Sequence, residues 1–192
     1  MKSRYLMGVL SSESEEEICK ILILMTEANL IEKISLIPLS EESIDLSEEK
    51  RISFDVADNQ AEKKIYLNKD ISPIPQNLKE SIINRFLNTE IKITHISFFR
   101  TDFVKKVFER LNLINYGQTI TYRELAEKIG NAKSARAVGN ALRNNPLPLI
   151  YPCHRVVGVN GLGGFSGNHV EYIKIKSKLL EIEKKREKIT IN

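Results

Sequence analysis

Two neighbouring residues, Cys153 and His154, carry the most reactive side chains of the segment NPLPLIYPCHRVVG. A thiol becomes a nucleophile when a nearby base raises its thiolate fraction, and an imidazole is such a base. Consecutive residues of an extended strand point to opposite faces, so direct contact between these side chains requires a turn or a helical start after Pro152. Cys153 could therefore be a nucleophile, a metal ligand, a redox group or a buried structural thiol, and the last is the usual state of a free cysteine.

The other histidines and the second cysteine do not point to a metal site. His95 and His169 lie at no ligand spacing from Cys153, and Cys19 and Cys153 are too few for a disulfide framework. We therefore expect no metal and a reducing compartment. No apolar run approaches the length of a bilayer span, and the N-terminus lacks the layout of a secretory signal, which predicts a soluble, cytoplasmic protein without membrane contact.

Charge is divided unevenly along the 192 residues. Residues 1–100 carry 13 Lys and Arg against 17 Asp and Glu, whereas residues 101–192 carry 16 against 8. The first half thus has a balance of −4 and the second a balance of +8, which indicates two domains and an anionic partner for the second. We expect a supporting domain over 1–100 and a binding domain over 101–192.

Alternating apolar patterns in the first half predict a small α+β domain. The segments typical of strands are RYLMGVL, LIEKISLIPL, RISFDVA, KIYLN and EIKITHISFF. The segments with helical spacing are EEEICKILILMTEA and SPIPQNLKESIINRFLN. Neither a repeat nor a low-complexity linker separates this half from the next, so we expect the two halves to pack together.

The apolar period becomes helical in the second half. TDFVKKVFERLNLI places five apolar residues on one face and offers Thr101 or Asp102 as its cap. NYGQTIT predicts a turn at Gly117 followed by a short extended stretch. The apolar face consists of Phe103, Val104, Val107, Phe108 and Leu111.

Two further short helices are predicted after that turn. Thr121 and Glu124 form the capping box of YRELAEKIG, which Gly130 ends, and Ser134 is the expected cap of ARAVGNALRNN. Two short helices joined by a tight turn predict a helix-turn-helix. Its second helix carries Arg136 and Arg143, together with small residues that allow close approach to another surface: Ala135, Ala137, Val138, Gly139 and Ala141.

Taken together, PCHRVVG, NGLGGFSG, NPLP, TYRELA and ARAVG resemble the 6-O-alkylguanine-DNA alkyltransferases over roughly residues 99–183. The resemblance implies an N-terminal α/β domain of ribonuclease H-like fold and a mostly helical C-terminal domain with a helix-turn-helix. It also implies repair of double-stranded DNA by irreversible transfer of the alkyl group, mainly methyl, to Cys153. The protein is then its own acceptor, consumed in one turnover, and needs no cofactor.

The same resemblance implies roles for individual residues. Cys153 is the nucleophile, His154 takes its proton through a water, and Glu183 orients the imidazole. Tyr122 donates a proton to the guanine ring, and Asn145 ties the second helix to the reactive segment. Without the resemblance, Glu183 reads as a solvated glutamate and Asn145 as a helix cap.

DNA contacts and the base pocket follow from the resemblance too. Arg136 enters the duplex from the minor groove and replaces the flipped base; the family places this helix, with Ala135, Ala137, Gly139 and Arg143, in that groove. The expected pocket residues are Tyr151, Gly164, Phe165, Ser166, Gly167 and Lys176. Tyr151 stands where the family usually has an aliphatic residue. A monomer is expected.

Two other functions fit parts of the pattern. A helix-turn-helix regulator or alkyl sensor would bind DNA and keep Cys153 as a structural or sensing thiol. A Cys-His hydrolase would use the same pair of residues, but it needs an oxyanion hole and an acyl cleft, and it turns over many times.

Overall fold

The structure, a computed structural model, describes residues 101–165, 169–185 and 189–191 of the second half. In the first hundred residues it describes the segments 4–12, 14–25, 31–40, 43–45, 64–66 and 72–74, and positions 76, 79–80 and 82–83. The predicted strands RISFDVA and EIKITHISFF lie outside these residues.

The described residues form nine strands and four α-helices, in addition to the helical positions 76, 79–80 and 82–83. In chain order they are β1 (Arg4–Ser12), β2 (Glu17–Met25), β3 (Ile31–Ile37), β4 (Ser43–Asp45), β5 (Lys64–Tyr66), β6 (Ser72–Pro73), α1 (Asp102–Leu111), β7 (Ile120–Thr121), α2 (Tyr122–Lys128), α3 (Ala135–Arg143), β8 (Val156–Val157), α4 (Val170–Lys185) and β9 (Ile189–Ile191). A short 3-10 helix, Cys153–Arg155, precedes β8.

Five strands form one mixed sheet in the order β3-β2-β1-β6, and β9 also pairs with β1. The β1–β2 and β2–β3 pairs are antiparallel, and β6 runs parallel to β1. Two small pairs complete the strands, antiparallel β4–β5 and parallel β7–β8. The predictions of strands at RYLMGVL, LIEKISLIPL and KIYLN are confirmed, and the described residues among 76–83 are helical, as predicted.

The prediction of a helix at EEEICKILILMTEA is wrong, because residues 17–25 form strand β2. The strand lies between β1 and β3, and five of its apolar side chains, which point to both faces, are buried: Ile18, Cys19, Ile21, Leu22 and Ile23. A central strand covered on both faces needs a continuous apolar run instead of an alternating one. Such a run has no period that separates a short strand from a buried helix.

Local capping fixes the ends of two helices as expected. At α1, the Thr101 hydroxyl accepts a hydrogen bond from the Val104 backbone N–H at 3.2 Å, so Thr101, not Asp102, is the cap. At α2, the Thr121 hydroxyl accepts from the Glu124 N–H at 3.1 Å, and the Glu124 carboxylate accepts from the Thr121 N–H at 2.6 Å. The capping box is therefore confirmed.

The third predicted cap is wrong in its chemistry although the helix begins where expected. Ser134 precedes α3, but its hydroxyl donates to the Asn131 backbone carbonyl at 2.6 Å and makes no capping hydrogen bond. The hydroxyl closes the turn after α2 instead. The turn between α2 and α3 is thus tied to the start of α3, which holds the two helices at a defined separation.

Several contacts between described residues join the two halves of the chain. The Ile34 N–H in β3 donates to the Pro146 carbonyl at 2.8 Å. Lys178 on α4 pairs with Glu16, between β1 and β2, at 2.5 Å. Strand β9 returns from α4 to pair with Leu10, Ser11 and Ser12 of β1. The expectation that the halves pack together is confirmed, and these contacts hold both the segment before Cys153 and the helix that carries Glu183.

Candidate active site

The segment between α3 and β8 changes direction sharply and presents Cys153. The chain passes Leu149 with a φ of 73° and enters the 3-10 helix directly after Pro152. The helical start that a Cys-His arrangement requires is therefore present. The residues of the 3-10 helix, Cys153, His154 and Arg155, are all buried, and Cys153 keeps 7% of its surface exposed, enough to be reached from one side.

Asn145 holds the thiol from the end of α3. Its side-chain amide donates to Cys153 Sγ at 3.0 Å and to the Tyr151 carbonyl at 2.8 Å. Its own oxygen accepts from the Leu147 N–H at 3.0 Å. The side chain therefore bridges the helix end and the reactive segment, and it offers the sulfur a hydrogen-bond donor that favours the thiolate.

Behind the thiol, His154 belongs to a buried polar cluster centred on Glu183. His154 Nε2 lies 2.7 Å from Glu183 Oε1, and the Arg155 guanidinium donates from Nε and Nη2 to the same carboxylate at 3.0 to 3.1 Å. The Gly117 N–H donates to Glu183 Oε2 at 2.9 Å. An ionised carboxylate accepts from Nε2–H, which leaves Nδ1 as the basic nitrogen of the imidazole.

The site also includes two residues that the sequence motifs do not indicate, Arg155 and Gly117. Arg155 is 2% exposed, and its Nη1 donates to the Ile114 carbonyl at 2.8 Å. Gly117 has a φ of 76°, and a Cβ there would lie 3.0 Å from the Glu183 backbone oxygen. The arginine beside the apolar residues of CHRVV could have indicated a buried ion pair, because a buried guanidinium needs an acidic partner.

Burial and partners set the protonation state of each group. Burial raises the pKa of the Cys153 thiol, and the Asn145 hydrogen bond and the Lys176 charge offset only part of this. Burial lowers the pKa of His154 despite the opposing effect of Glu183. Burial alone would raise the pKa of Glu183, but hydrogen bonds and charge from His154 and Arg155 outweigh it and lower that pKa. At neutral pH the resting site therefore holds a thiol, a neutral imidazole and a carboxylate.

A second cluster fixes the loop that follows β8. Lys176 is fully buried and donates to the Val156 carbonyl at 2.7 Å and to the Gly164 carbonyl at 3.2 Å. The Tyr122 hydroxyl donates to the same Gly164 carbonyl at 3.2 Å. Burial lowers the pKa of Lys176 to about 8. Burial, with the charge of a Cys153 thiolate next, raises the pKa of Tyr122 to about 12, so the phenol keeps its proton at neutral pH.

A cleft of about 610 Å³ opens over Cys153. One helix, α3, supplies several of its lining residues, and the exposed ones among them are spaced along one face: Arg136, Asn140 and Arg143. The other lining residues are Tyr122, Ala135, Gly139, Leu142, Asn145, Pro148, Cys153, Gly164, Phe165 and His169. The described lining contains no Asp or Glu, so the cleft is basic.

The structure brings most of the expected site residues to this cleft, with exceptions. Tyr151 is a correction: it is fully buried and packs edge-on against Phe108, with centroids 5.0 Å apart, so its ring fills the core behind Cys153 instead of the pocket. Lys176 likewise lies behind the loop and does not line the cleft. Ala137 is exposed but is not part of the lining. Ser166 and Gly167 lie outside the described residues.

The described residues show neither a cluster of metal ligands nor a membrane-spanning helix. They contain no group of three or more His, Cys, Asp or Glu side chains placed to hold a metal ion. Among the same residues, no helix combines the length and the apolar character that crossing a bilayer requires.

Comparison with known proteins shows which class the site resembles. Residues 102–185 match the family model for the DNA-binding domain of 6-O-methylguanine DNA methyltransferase. A methylated-DNA–protein-cysteine methyltransferase of Methanosarcina acetivorans is 48% identical over 84 residues, 43% of this chain and 51% of the relative. The Mycobacterium tuberculosis relative is 47% identical over 87 residues, 45% of this chain and 50% of the relative. The chain thus spans about half the length of the curated relatives it matches.

Solved structures extend the similarity to most of the chain. The M. tuberculosis O6-methylguanine methyltransferase has a TM-score of 0.60 at 25% identity, covering 96% of this chain and 94% of that chain. The corresponding protein of Pyrococcus kodakaraensis has a TM-score of 0.59 at 26% identity, covering 91% and 98%. An M. tuberculosis structure in complex with DNA has a TM-score of 0.57 at 25% identity, covering 95% and 94%.

These matches confirm an α+β fold with a small sheet and several helices. They also confirm the resemblance to the 6-O-alkylguanine-DNA alkyltransferases that the motifs indicated.

Proposed function

We propose that the protein repairs double-stranded DNA by transferring an alkyl group, mainly methyl, from guanine O6 to Cys153. The observation that carries this proposal is the position of Cys153 at a basic cleft, bonded to Asn145 and next to the His154–Glu183 pair. This arrangement lies within the segment that matches the methyltransferase family model. Each molecule acts once, because a thioether has no ready leaving group.

The reaction is a single displacement at the alkyl carbon. His154, polarised by Glu183, takes the thiol proton through a water, and the Cys153 sulfur attacks as a thiolate. The new S–C bond forms as the C–O6 bond breaks, and the electron pair of that bond stays with the guanine. The thiol loses one proton and the guanine ring gains one, so the net charge does not change. The neutral imidazole and the ionised Glu183 at neutral pH support this assignment.

Tyr122 supplies that proton to the ring nitrogen and is then reprotonated from solvent or through His154. Its position in the cleft lining supports this role, and its raised pKa means that the phenol still carries its proton at neutral pH. Phe165, with Gly164, Ser166 and Gly167, would enclose the base. Lys176 would brace this loop and favour the thiolate, a role supported by its hydrogen bond to Gly164.

DNA would approach through a helix-turn-helix made of α2 and α3. In this proposal α3 lies in the minor groove, Arg136 fills the space of the flipped nucleotide, and Arg143 contacts a phosphate. The exposed Arg136, Ala137 and Arg143 support the orientation, and the half-buried Ala135 and Gly139 leave room for a close approach. The protein acts on DNA as a monomer, with residues 101–192 as the transfer domain.

The supporting domain, residues 1–100, would have a ribonuclease H-like fold. Three antiparallel strands followed by β6, which is parallel to β1, support this assignment. In this proposal the domain acts through its contacts with Pro146 and α4, not through chemistry of its own.

The test is the intact mass after incubation with a duplex containing 6-O-methylguanine. We expect the native protein to gain one methyl group, with fragment masses placing it on Cys153. Cys19→Ala, which removes the other buried thiol, is the matched control and should gain the same methyl. Cys153→Ala should gain none. A folded native protein whose mass does not change would refute the proposal and favour a DNA-binding regulator, and repeated turnover of an ester substrate would favour a hydrolase.

A further inference from the structure

His169 is a cleft residue that the proposed chemistry leaves without a role. It lies directly before α4, is exposed, and lines the same cleft as Cys153. The Ile173 N–H donates to its backbone carbonyl at 3.2 Å, which ties its main chain to the first turn of that helix. Its position is therefore set by α4, independently of the helix that carries Arg136.

Hydrogen-bonding capacity distinguishes His169 from the other lining residues. Arg136, Asn140 and Arg143 all belong to α3. Outside α3, the lining residues Tyr122 and Asn145 already donate to Gly164 and to Cys153. Within the described residues no hydrogen bond of the His169 side chain is found, and the residue lines the cleft, so its ring can serve a ligand bound there.

The local charge also favours an anion at this position. The described lining has two arginines and no carboxylate. The acid nearest to His169 in sequence, Glu171, is held by Lys174 at 2.6 Å. An imidazole carries at least one N–H donor in either protonation state, so it can bond an anionic oxygen at neutral pH.

We propose that His169 donates a hydrogen bond to a backbone phosphate next to the extruded nucleotide. The inference rests on the proposed function: a base that reaches Cys153 brings its two flanking phosphates to the margin of the cleft. When α3 lies in the minor groove, the flanking phosphate nearest to the start of α4 comes within reach of the His169 side chain. Such a contact holds the nucleotide in place without reading its sequence.

The test uses duplexes in which one phosphate beside 6-O-methylguanine is replaced by an uncharged methylphosphonate. Single-turnover transfer rates and duplex affinities are measured for the native protein, for His169→Ala and for His169→Lys, which restores a donor. Lys184→Gln is the matched control, because it removes an exposed charge on α4 that does not line the cleft, and it leaves the Glu171–Lys174 pair intact.

With the unmodified duplex, we expect His169→Ala to reduce the transfer rate and the affinity about 3- to 10-fold, the range of one ordinary hydrogen bond lost at an exposed position. His169→Lys should recover most of this loss, and Lys184→Gln should stay within about twofold of native on the same scale. Replacement of the contacted phosphate should slow the native protein by a similar factor but affect His169→Ala little further.

Losses that are the same on every duplex, or no loss at all, would overturn the phosphate contact. Failure of the proposed function is recognised separately, because native protein would then leave Cys153 unmethylated on the unmodified duplex. In that case the affinity measurements with the same duplexes still decide whether His169 contacts the phosphate.

Discussion

Replacing Glu183 with glutamine tests the buried cluster behind Cys153 most sharply. The carboxylate accepts hydrogen bonds from His154, from Arg155 and from the Gly117 N–H, and its side chain is 0% exposed. Glutamine has nearly the same shape but no charge, and its NH₂ group must face one of these donors. The change thus leaves the Arg155 guanidinium buried without a counter-charge.

The expected magnitude follows from that loss. Breaking a buried ion pair by removing one partner costs about 3–5 kcal/mol of the free energy of unfolding. For a chain of this size, that lowers the melting temperature by about 6–20 °C. Because the amide no longer fixes the His154 tautomer, methyl transfer should slow by about 100-fold or more.

The assay combines urea unfolding with single-turnover transfer to Cys153. The matched control is Glu181→Gln on the same helix, where an exposed carboxylate pairs with Lys185 at 2.9 Å. This control should leave both stability and transfer near the native values, because exposed ion pairs contribute little. A Glu183→Gln protein that unfolds at the native urea concentration and transfers at the native rate would refute the reasoning.

Three further predictions concern the pocket and DNA. Gly163→Ala should slow transfer and destabilise the fold more than Gly130→Ala. Both glycines have a positive φ, but a Cβ at position 163 would lie 2.9 Å from the Tyr122 ring, whereas one at position 130 would have no atom within 4 Å. Equal melting temperatures of the two variants would contradict this prediction. The transfer rate should fall as pH rises through about 8, where Lys176 loses its proton. Lys176→Met should transfer more slowly but show no such decrease at alkaline pH. If the variant keeps the decrease, a group other than Lys176 causes it. Arg136→Ala should slow repair of duplex DNA by about 10-fold or more while transfer from free 6-O-methylguanine changes far less, as rate measurements on both substrates would show.

Elements fixed by local signals were predictable from the sequence. The capping box of Thr121 and Glu124 and the turn at Gly117 depend on residues a few positions apart, and the structure has both. The 3-10 start after Pro152 is similarly local. These features position much of the candidate site, which is why the motif segments indicated its class.

Features that depend on long-range packing were not predictable. The run in β2 became a strand because β1 and β3 pair with both of its edges, and strand β9 forms because β1 offers it an edge. Arg155 reaches Glu183 across 28 positions of sequence, and no local pattern encodes that distance. The Tyr151 side chain packs in the core against the ring of Phe108, a contact between residues far apart in sequence.

The central claim is that Cys153 is a stoichiometric acceptor of the alkyl group. The measurement that tests it most directly is the amount of methyl transferred from a large excess of duplex 6-O-methylguanine, counted per protein molecule and mapped by fragment mass. We predict a plateau at about one methyl per molecule, all of it on Cys153, as expected for a thioether product. Continued transfer beyond one equivalent, or methyl on any other residue, would contradict the account.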